Sequence, residues 1–331
     1  MYTNATHRQE DGGKIMQPDR EGKADIGCCK SVAITCVSET GWLDENVWLK
    51  NVERAGGREV SQWSVDWDET NSAGYSSLIE IEGTDGARRR FLLDSGWNND
   101  YMDAAFEREG VDEMLKKREI EFLYVTHEHF DHYFGVASTL KYDPDITVMV
   151  PNTLHDEGYR LLAGGEFPAC HARNPVPHRG KLIRHDPDVI YQLYPGCASV
   201  TFSIDIPFRV QGEQSLFFNV EDKGIVCVTG CCHQNITAFA DFARDRIQGG
   251  ENLYGLYGGL HIAPVGALDA AGEKTVMNLG KYGFKKIACN HCTGVGAVKK
   301  MVGLGYPVAG GSARNGSLSD LYLGNGDRIV F

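Results

Sequence analysis

Histidines and a carboxylate are concentrated in one short segment, residues 126–135, which reads Thr-His-Glu-His-Phe-Asp-His-Tyr-Phe-Gly. Its ligand-type side chains are His127, His129, Asp131 and His132. An apolar run of strand character precedes the segment. Neutral imidazole and carboxylate are the groups that zinc, iron and manganese sites use. The segment therefore predicts a metal-binding loop at the end of a strand.

Three more histidines stand at the ends of later apolar runs, among small residues: His233, His261 and His291. Loops at strand ends are where folds place chemistry, because a rigid sheet aims them into one crevice. One such histidine would be explained by structural hydrogen bonding, but three in the same context indicate site residues. Thiols adjoin two of them, at Cys231, Cys232 and Cys292.

This inventory of ligands is large enough for two metal ions. An open catalytic site binds each ion through about three protein ligands and leaves a position for water. In binuclear hydrolases the two ions lie ~3.5–4 Å apart. A set dominated by histidine favours a catalytic site over a closed structural one. We expect one or two ions, with zinc ahead of iron or manganese.

The composition restricts the class of protein. A chain of 331 residues with 42% hydrophobic residues has ample apolar material for a folded core. Its formal net charge of −12 disfavours binding to nucleic acid or to anionic membranes, which depends on basic patches. A small anionic substrate is compatible with this charge, because a bound metal ion reverses the local field.

The cysteines and the first residues predict a cytoplasmic location. Most of the ten cysteines lie in or next to apolar runs or beside histidines, as buried or site thiols of a reducing compartment do. No apolar run approaches the roughly 20 residues that cross a bilayer, and the first 30 residues lack the apolar centre of a signal peptide. Residues 1–30 are predicted to form an N-terminal extension and residues 31–331 one domain.

Strand-like and helix-like patterns alternate along that domain. Strands are predicted at residues 31–37, 76–82, 90–93, 122–125, 146–150, 189–194, 200–206, 215–220, 224–229, 253–257 and 286–289. Helices are predicted at residues 102–118, split at Gly110, and at 136–140, 154–162, 236–247, 270–282 and 295–302. Meander-like strands early in each half predict an α/β protein of two packed sheets covered by helices outside.

Two segments stand apart from this pattern, the first because it is less regular and the second because it has no clear period. Residues 42–71 are rich in tryptophan, and packing is favoured over lining a pocket for them. Residues 164–188 carry His171, His178 and His185, each a weak ligand candidate. A loop of this length inside a compact domain predicts a lid or a substrate-binding segment.

Asp94 ends the second strand of a predicted hairpin, in the string Asp-Ser-Gly. Its carboxylate can orient a metal-bound histidine by accepting a hydrogen bond from the ring nitrogen that does not bind the metal. It can equally cap the turn that follows the strand. Both interpretations remain open from the residues alone.

The metal-binding loop resembles the signature of the metallo-β-lactamase-fold metallohydrolases, Thr-His-x-His-x-Asp-His-x-x-Gly. The Asp-Ser-Gly string at Asp94 is similar to the upstream Asp-Thr-Gly of that superfamily. Within it, Thr-Gly-Cys-Cys-His at 229–233, Gly-Gly-Leu-His at 258–261 and His-Cys-Thr-Gly at 291–294 resemble one branch. That branch includes the archaeal dihydropterin–ribofuranosylaminobenzene phosphate synthases of methanopterin biosynthesis.

The resemblance implies a four-layer αβ/βα sandwich, the metallo-β-lactamase fold, with the metals at one edge. It implies His127 and His129 as ligands of the first metal, Asp131 and His132 as ligands of the second, His233 to complete the first set, and His291 as a further ligand. Cys231 stands where the superfamily has a bridging aspartate, so the number of metals stays open and Cys231 is a possible additional ligand. Cys197 occupies the place of another family histidine, and no ligand role is assigned to it.

The leading functional hypothesis is hydrolysis of a phosphoester or an acyl-type small molecule by a metal-activated water. Asp131 would aim the attacking hydroxide as ligand and hydrogen-bond acceptor. His261 would protonate the leaving group or bind its charge. The amides of the helix that begins after Thr293 and Gly294 would hold a phosphate. Asp131 and His261 are therefore the predicted catalytic residues.

Two alternatives accompany it. One is a metal-dependent transferase that joins a dihydropterin diphosphate to an arylamine phosphate, with the tryptophan-rich segment stacking the pterin. The other is a thiol or metal sensor without enzymatic activity, which would use Cys231, Cys232 and Cys292.

Overall fold

The computed structural model describes residues 12–331, so residues 1–11 of the predicted extension lie outside the described residues. The strands are β1 (Lys14–Ile15), β2 (Cys29–Ser38), β3 (Ser76–Gly83), β4 (Arg88–Leu93), β5 (Phe122–Tyr124), β6 (Thr147–Pro151), β7 (Glu166–Phe167), β8 (Ala172–Arg173), β9 (Leu182–His185), β10 (Ile190–Tyr194), β11 (Cys197–Ile206), β12 (Val210–Val220), β13 (Gly224–Val228), β14 (Leu253–Gly259), β15 (Lys286–Asn290) and β16 (Arg328–Val330). The α-helices are α1 (Glu45–Ala55), α2 (Asn99–Glu109), α3 (Val111–Lys116), α4 (Phe130–Tyr133), α5 (Val136–Leu140), α6 (Asp156–Leu162), α7 (Ile236–Arg246), α8 (Ala270–Leu279) and α9 (Val295–Gly303).

Fourteen of these strands form one branched sheet with two halves that meet at β12. The first half runs β12-β2-β3-β4-β5-β6-β9, with β16 paired to β2. The second half runs β1-β10-β11-β12 and continues through β13 and β14 to β15. The link between β12 and β2 is a single parallel pairing, Val220 with Cys29. The halves can therefore fold over one another at this link.

Neighbouring residues of one strand pack into different cores, which shows the layers. In β5, Leu123 packs with the helices of the first half, whereas Phe122 packs into an inner core. In β13, Cys227 packs with the helices of the second half, whereas Val226 packs into that same inner core. Because side chains alternate between sheet faces, the two halves face each other across the inner core with helices outside. The predicted four-layer αβ/βα arrangement is confirmed.

Helix α1 lies within residues 42–71, the segment that the sequence predicted to be less regular. The helix begins after Asp44, whose side chain accepts a hydrogen bond from the backbone N–H of Asn46. It ends at Gly56, which has a left-handed backbone. Its apolar stripe is narrow, since Trp48 and Val52 are its only buried hydrophobic residues. Such a surface helix has too weak a period to be read from the sequence.

The prediction of a lid at residues 164–188 was wrong. Strand β9 adds to the main sheet beside β6, and Cys170 and Ala172 are buried in the core of the first half. None of these residues lines either of the two cavities described below. The segment completes the sheet, and other loops form the walls of the site.

The described part of the predicted extension lies against the second half of the sheet. β1 pairs with β10, and Ala24 and Ile26 are buried in the core under the helices of that half. β2 begins at Cys29, two residues before the predicted domain start. The boundary at residue 30 itself stays a prediction.

His185 illustrates how the histidines of the predicted lid are used. Its ring is fully buried and stacks on Tyr191. Nε2 lies 2.9 Å from the carbonyl oxygen of Gly12, to which it donates, and Nδ1 lies 3.1 Å from the Ser199 hydroxyl and 3.0 Å from Gln214 Oε1. Burial lowers the pKa of His185 below its ordinary value, and its hydrogen bonds to Gly12 and Gln214 offset part of this effect. The residue is a buried structural histidine whose lowered pKa favours the neutral form.

This environment predicts a pH dependence of stability. In the unfolded chain His185 has its ordinary pKa of about 6.5, whereas burial lowers the pKa of His185 in the folded protein. The free energy of unfolding should therefore fall as the pH drops below about 6.5, by up to roughly 1.4 kcal/mol per pH unit for this residue. Denaturant unfolding of wild type and His185→Gln between pH 7 and 5 measures it. Parallel pH curves for the two proteins would contradict the assignment.

No helix among residues 12–331 has the length and apolarity needed to cross a membrane.

Candidate metal centre

The candidate ligands meet because four strands deliver them to one edge of the sheets. The loop after β5 carries residues 127–132, and the loop after β13 carries Cys231 and His233. β14 leads to His261 and β15 leads to His291. β13, β14 and β15 are mutually parallel, so their carboxyl ends lie side by side, as expected for parallel strands.

Six of the predicted ligands form two groups of three. His127, His129 and His233 make the first group, and Asp131, His132 and His291 make the second. Within each group the ligand atoms all lie within 4.8 Å of one another. Each group has the number of ligands that an open metal site requires.

Each of the five histidines in these groups has one ring nitrogen held by a partner on the outside of the site. The contacts are His127 Nδ1 with Thr126 Oγ1 at 2.9 Å, His129 Nε2 with the Pro207 carbonyl at 2.9 Å, His132 Nδ1 with Asp94 Oδ2 at 2.7 Å, His233 Nδ1 with Glu213 Oε2 at 2.8 Å, and His291 Nδ1 with the Glu39 carbonyl at 2.9 Å. Such outer partners fix the orientation of a ligating imidazole and the nitrogen it presents to a metal.

The remaining ring nitrogens converge on one another. His127 Nε2 lies 3.0 Å from His129 Nδ1, and His233 Nε2 is buried without a hydrogen-bond partner in the described chain. Burial and the neighbouring histidines hold the pKa of His127 well below its ordinary range, and the pKa of His129 falls to about 3. These imidazoles are neutral, with lone pairs available. A set of inward lone pairs and an unsatisfied buried nitrogen fits a metal ion.

The second ligand group differs from the first because it contains a carboxylate, Asp131. Burial alone would lower the pKa of His132, but the carboxylates of Asp131 and Asp94 raise it above its ordinary value. Asp131 Oδ2 lies 3.4 Å from His291 Nε2. Buried carboxylates of this kind require a compensating positive charge. The raised pKa values of His132 and His291 give these imidazoles that charge, and a cation bound by Asp131, His132 and His291 would replace it.

The geometry places Asp94 behind His132. Asp94 is fully buried, has φ 60°, and accepts hydrogen bonds from Thr126 N at 2.6 Å and from Thr126 Oγ1 at 2.7 Å. Together with its contact to His132, these bonds use both carboxylate oxygens. Asp94 thus links Thr126, at the start of the loop after β5, to the candidate ligand His132 further along that loop. It also shapes the turn after β4.

Glu213 is a site residue that the sequence reasoning missed. This fully buried carboxylate on β12 accepts from the backbone N–H groups of Cys231, Cys232 and His233 at 2.8–3.0 Å, and also from Thr229 Oγ1 and His233 Nδ1. Burial would raise its pKa, but the contacts with His233 and the backbone amides lower the pKa below its ordinary value. An ionised residue inside the buried pattern of β12 is the signal that could have revealed it.

The thiols have different surroundings. Cys231 Sγ lies 3.1 Å from His132 Nε2 and shares three-residue groups with Cys292 and with His261. Cys232 instead packs in the core beneath the second-half helices, and Cys197 packs in the inner core. Only Cys231 and Cys292 are therefore placed to meet the ligands.

His261 stands at the edge of the cluster. Its backbone is left-handed (φ 45°), and its ring centroid lies 4.4 Å from that of His233. Its Nδ1 has no hydrogen-bond partner among residues 12–331. In contrast to the five histidines above, nothing on the outside fixes that nitrogen. The histidines of residues 164–188 take no part in any of the metal-compatible groups found in the described chain.

Two cavities open onto the cluster. The smaller is lined by Trp42, Trp48, Arg58, His129, Phe130, Asp131, Pro207, Phe208, Cys231, His233, His261, Pro264, Val265 and Cys292. The larger, of about 290 Å³, runs from His291 and Cys292 to the first turn of α9 and the tryptophan Trp42. Trp42, Pro264 and Cys292 border both. Trp63 and Trp67 are core residues, so the tryptophan-rich segment both packs and lines the site.

Position 230 requires glycine because side-chain atoms of Thr126 and Asp94 lie close to its Cα. A Cβ at this position would overlap Thr126 Oγ1 and lie 3.1 Å from Asp94 Oδ2. We expect Gly230→Ala to lower the free energy of unfolding by about 1–3 kcal/mol and to weaken metal binding. Gly303→Ala is the matched control, because no atom lies within 4 Å of a Cβ there and alanine favours a helix by up to about 1 kcal/mol. Equal stability of the two variants in urea unfolding would contradict this reading.

A layered αβ/βα sandwich with histidines and an aspartate at its strand ends defines the class as the metallo-β-lactamase fold. The solved structure of Tm1679, described as a metal-dependent hydrolase of the beta-lactamase superfamily, matches with a TM-score of 0.54 over 90% of this chain and 98% of that one, at 16% identity. The family model of the metallo-beta-lactamase superfamily matches residues 70–196. The chain therefore has the metallo-β-lactamase fold, and residues 70–196, which include the metal-binding loop, match the superfamily model as the motif predicted.

A curated relative is 24% identical and covers 74% of this chain and 91% of its own length. It is the 7,8-dihydropterin-6-methyl-4-(beta-D-ribofuranosyl)-aminobenzene-5'-phosphate synthase of Methanocaldococcus jannaschii. The likeness extends beyond the residues matched by the family model. The family-model match and this relative support an enzyme, and the fold together with the ligand groups implies metal binding.

Proposed function

We propose that the protein is a metal-dependent hydrolase of a small anionic phosphoester or acyl compound, with Zn²⁺ in one or two positions. The observation that carries the proposal is the pair of three-residue ligand groups with outer nitrogens held and inner nitrogens converging. His127, His129 and His233 would hold one ion, and Asp131, His132 and His291 the other. Bound ions supply Lewis acidity and lower the pKa of a coordinated water to about 7.

The chain's own groups supply the remaining functions. Asp131 lines the smaller cavity and is the acceptor that would orient the attacking water. His261 lines the same cavity with Nδ1 unpartnered in the described chain, so it can donate a proton to the leaving group. The larger cavity leads to the first turn of α9, where no side chain caps the helix. A phosphate on the leaving side would meet those amides.

A second candidate is the transferase reaction. The similarity to the archaeal synthase over 91% of its length favours it, as does the larger cavity bordered by Trp42. In that reaction the same residues would position a diphosphate leaving group and an arylamine phosphate. We expect either enzyme to act in the cytoplasm on free small molecules, without nucleic acid or membrane.

Metal analysis followed by a substrate panel tests the proposal. Protein purified without added metal should contain close to one or two ions per chain. With phosphodiester, thioester and lactone substrates, it should show hydrolysis that a chelator removes and added Zn²⁺ restores. Pyrophosphate release from a dihydropterin diphosphate and an arylamine phosphate, without hydrolysis of any panel member, would overturn hydrolysis in favour of the transferase.

A further inference from the structure

The smaller cavity has one cationic side chain other than histidine in its lining, Arg58. The chain reaches this position through a tight reversal after α1. Gly56 and Gly57 both have left-handed backbones (φ 100° and 104°). Their N–H groups donate hydrogen bonds to carbonyl oxygens in the last turn of the helix. Positive φ is easily reached only by glycine, so the Gly-Gly pair places Arg58 at the mouth of the site.

A second loop is bound to Arg58 and reaches the candidate ligands. The backbone N–H of Phe208 donates to the carbonyl of Arg58 at 2.7 Å, and the preceding residue, Pro207, accepts from His129 at 2.9 Å. Phe208 and Arg209 are consecutive non-glycine residues with φ near 60°, a conformation that costs about 1–3 kcal/mol per residue. Strain of this kind is retained where a wall of a site must hold its shape.

The guanidinium group of Arg58 has an aromatic neighbour and no ion-pair partner among residues 12–331. Its Cζ lies 5.8 Å from the ring centroid of Trp48, which packs against Trp42 and Phe208. No carboxylate of residues 12–331 forms an ion pair with Arg58, although the chain has 45 acidic residues and a net charge of −12. The acidic group of the same cavity, Asp131, faces His291 and His132 instead.

We propose that Arg58 binds an oxyanion group of the substrate, phosphate or carboxylate, at the mouth of the smaller cavity. The inference rests on the proposed function, since it places the reacting bond at the metal ligands and the charged group at Arg58. Guanidinium matches both oxyanions through two parallel hydrogen bonds. The Trp48 ring, with its centroid 5.8 Å from Cζ, attracts the guanidinium through a cation–π interaction. Arg58 would therefore be a specificity-determining residue that selects anionic substrates.

Binding of three small probes to the metal-loaded protein tests this inference. Phenyl phosphate, benzoate and neutral benzyl alcohol share one ring, and the tryptophans of the cavity provide a fluorescence signal. We expect Arg58→Gln to weaken the anionic probes roughly tenfold or more, because a charge-assisted hydrogen bond contributes on that scale. Affinity for benzyl alcohol and the metal content should not change, and Arg58→Lys should recover part of the loss. The anion with the larger loss identifies the group that Arg58 recognises.

Arg54→Gln is the matched control, because Arg54 lies in the last turn of α1 and outside both cavity linings. Wild-type anion affinity in Arg58→Gln, or an equal loss for benzyl alcohol, would overturn the proposal and leave Arg58 as a cover for Trp48. Absence of measurable anion binding to the wild type would also count against it. Turnover is not read in this assay, so a lack of hydrolysis would bear on the proposed function alone.

Discussion

Glu213→Ala is expected to release the ion of the first ligand group and to lower the free energy of unfolding by about 3 kcal/mol or more. The carboxylate accepts hydrogen bonds from three backbone N–H groups of the loop from Cys231 to His233 and from Nδ1–H of His233. Alanine would leave these buried donors without acceptors, and each costs roughly 1–3 kcal/mol. Loss of an outer partner of a metal-bound histidine typically weakens metal affinity 10–100-fold.

Competition with a chromophoric chelator measures the affinity, and urea unfolding of metal-free protein measures the stability. Glu221→Ala is the control, because this exposed glutamate follows the same strand without a role in the site. Glu213→Gln should be intermediate, since its amide keeps one acceptor oxygen and turns an N–H toward donors. If Glu213→Ala bound metal as tightly as Glu221→Ala, the loop would be held by other contacts.

His132→Ala is expected to abolish most activity while leaving the first ligand group able to bind. His132 belongs to the group with Asp131 and His291, and its ring connects that group to Asp94 and Cys231. The variant should lose one ion per chain if two are bound. Activity should fall by more than about 100-fold, since even outer-partner changes at metal sites reach that scale.

Metal content by elemental analysis, with kcat and KM on the best substrate of the panel, checks this result. His178→Ala is the comparison, because His178 donates to the carbonyl of Ile146 away from the ligand groups. Unchanged kcat in His132→Ala would remove the second group from the reaction. Loss of all metal would show instead that the two groups bind cooperatively.

The sequence pattern did not predict which residues form the walls of the two cavities. The long segment at residues 164–188 was predicted to cover the site, yet β9 extends the sheet and His185 is a buried structural residue. The walls instead come from Trp42, Trp48 and the loop at Phe208, which were read as packing or not considered. Length and composition of a loop do not state which face of the protein it crosses.

The sequence predicted the candidate ligand set because these residues stand in one loop and at the ends of individual strands. His127, His129, Asp131 and His132 lie within one loop, and His233, His261 and His291 each follow a strand of strong β pattern. Strand ends of parallel strands meet at one edge whatever their separation along the chain. The family motif and the layered fold followed from the same local patterns and are confirmed by the structure and its relatives.

Tertiary structure alone decided which groups complete that set. Glu39 is 252 residues from His291, and Asp94 is 38 from His132, while Glu213 and Arg58 belong to no motif. Cys231 illustrates the difference. Its sequence position raised the question of an additional ligand, and only folding brings its thiol to 3.1 Å from His132. Hydrogen bonds and burial between distant segments depend on how the two sheet halves pack, and no local period records that packing.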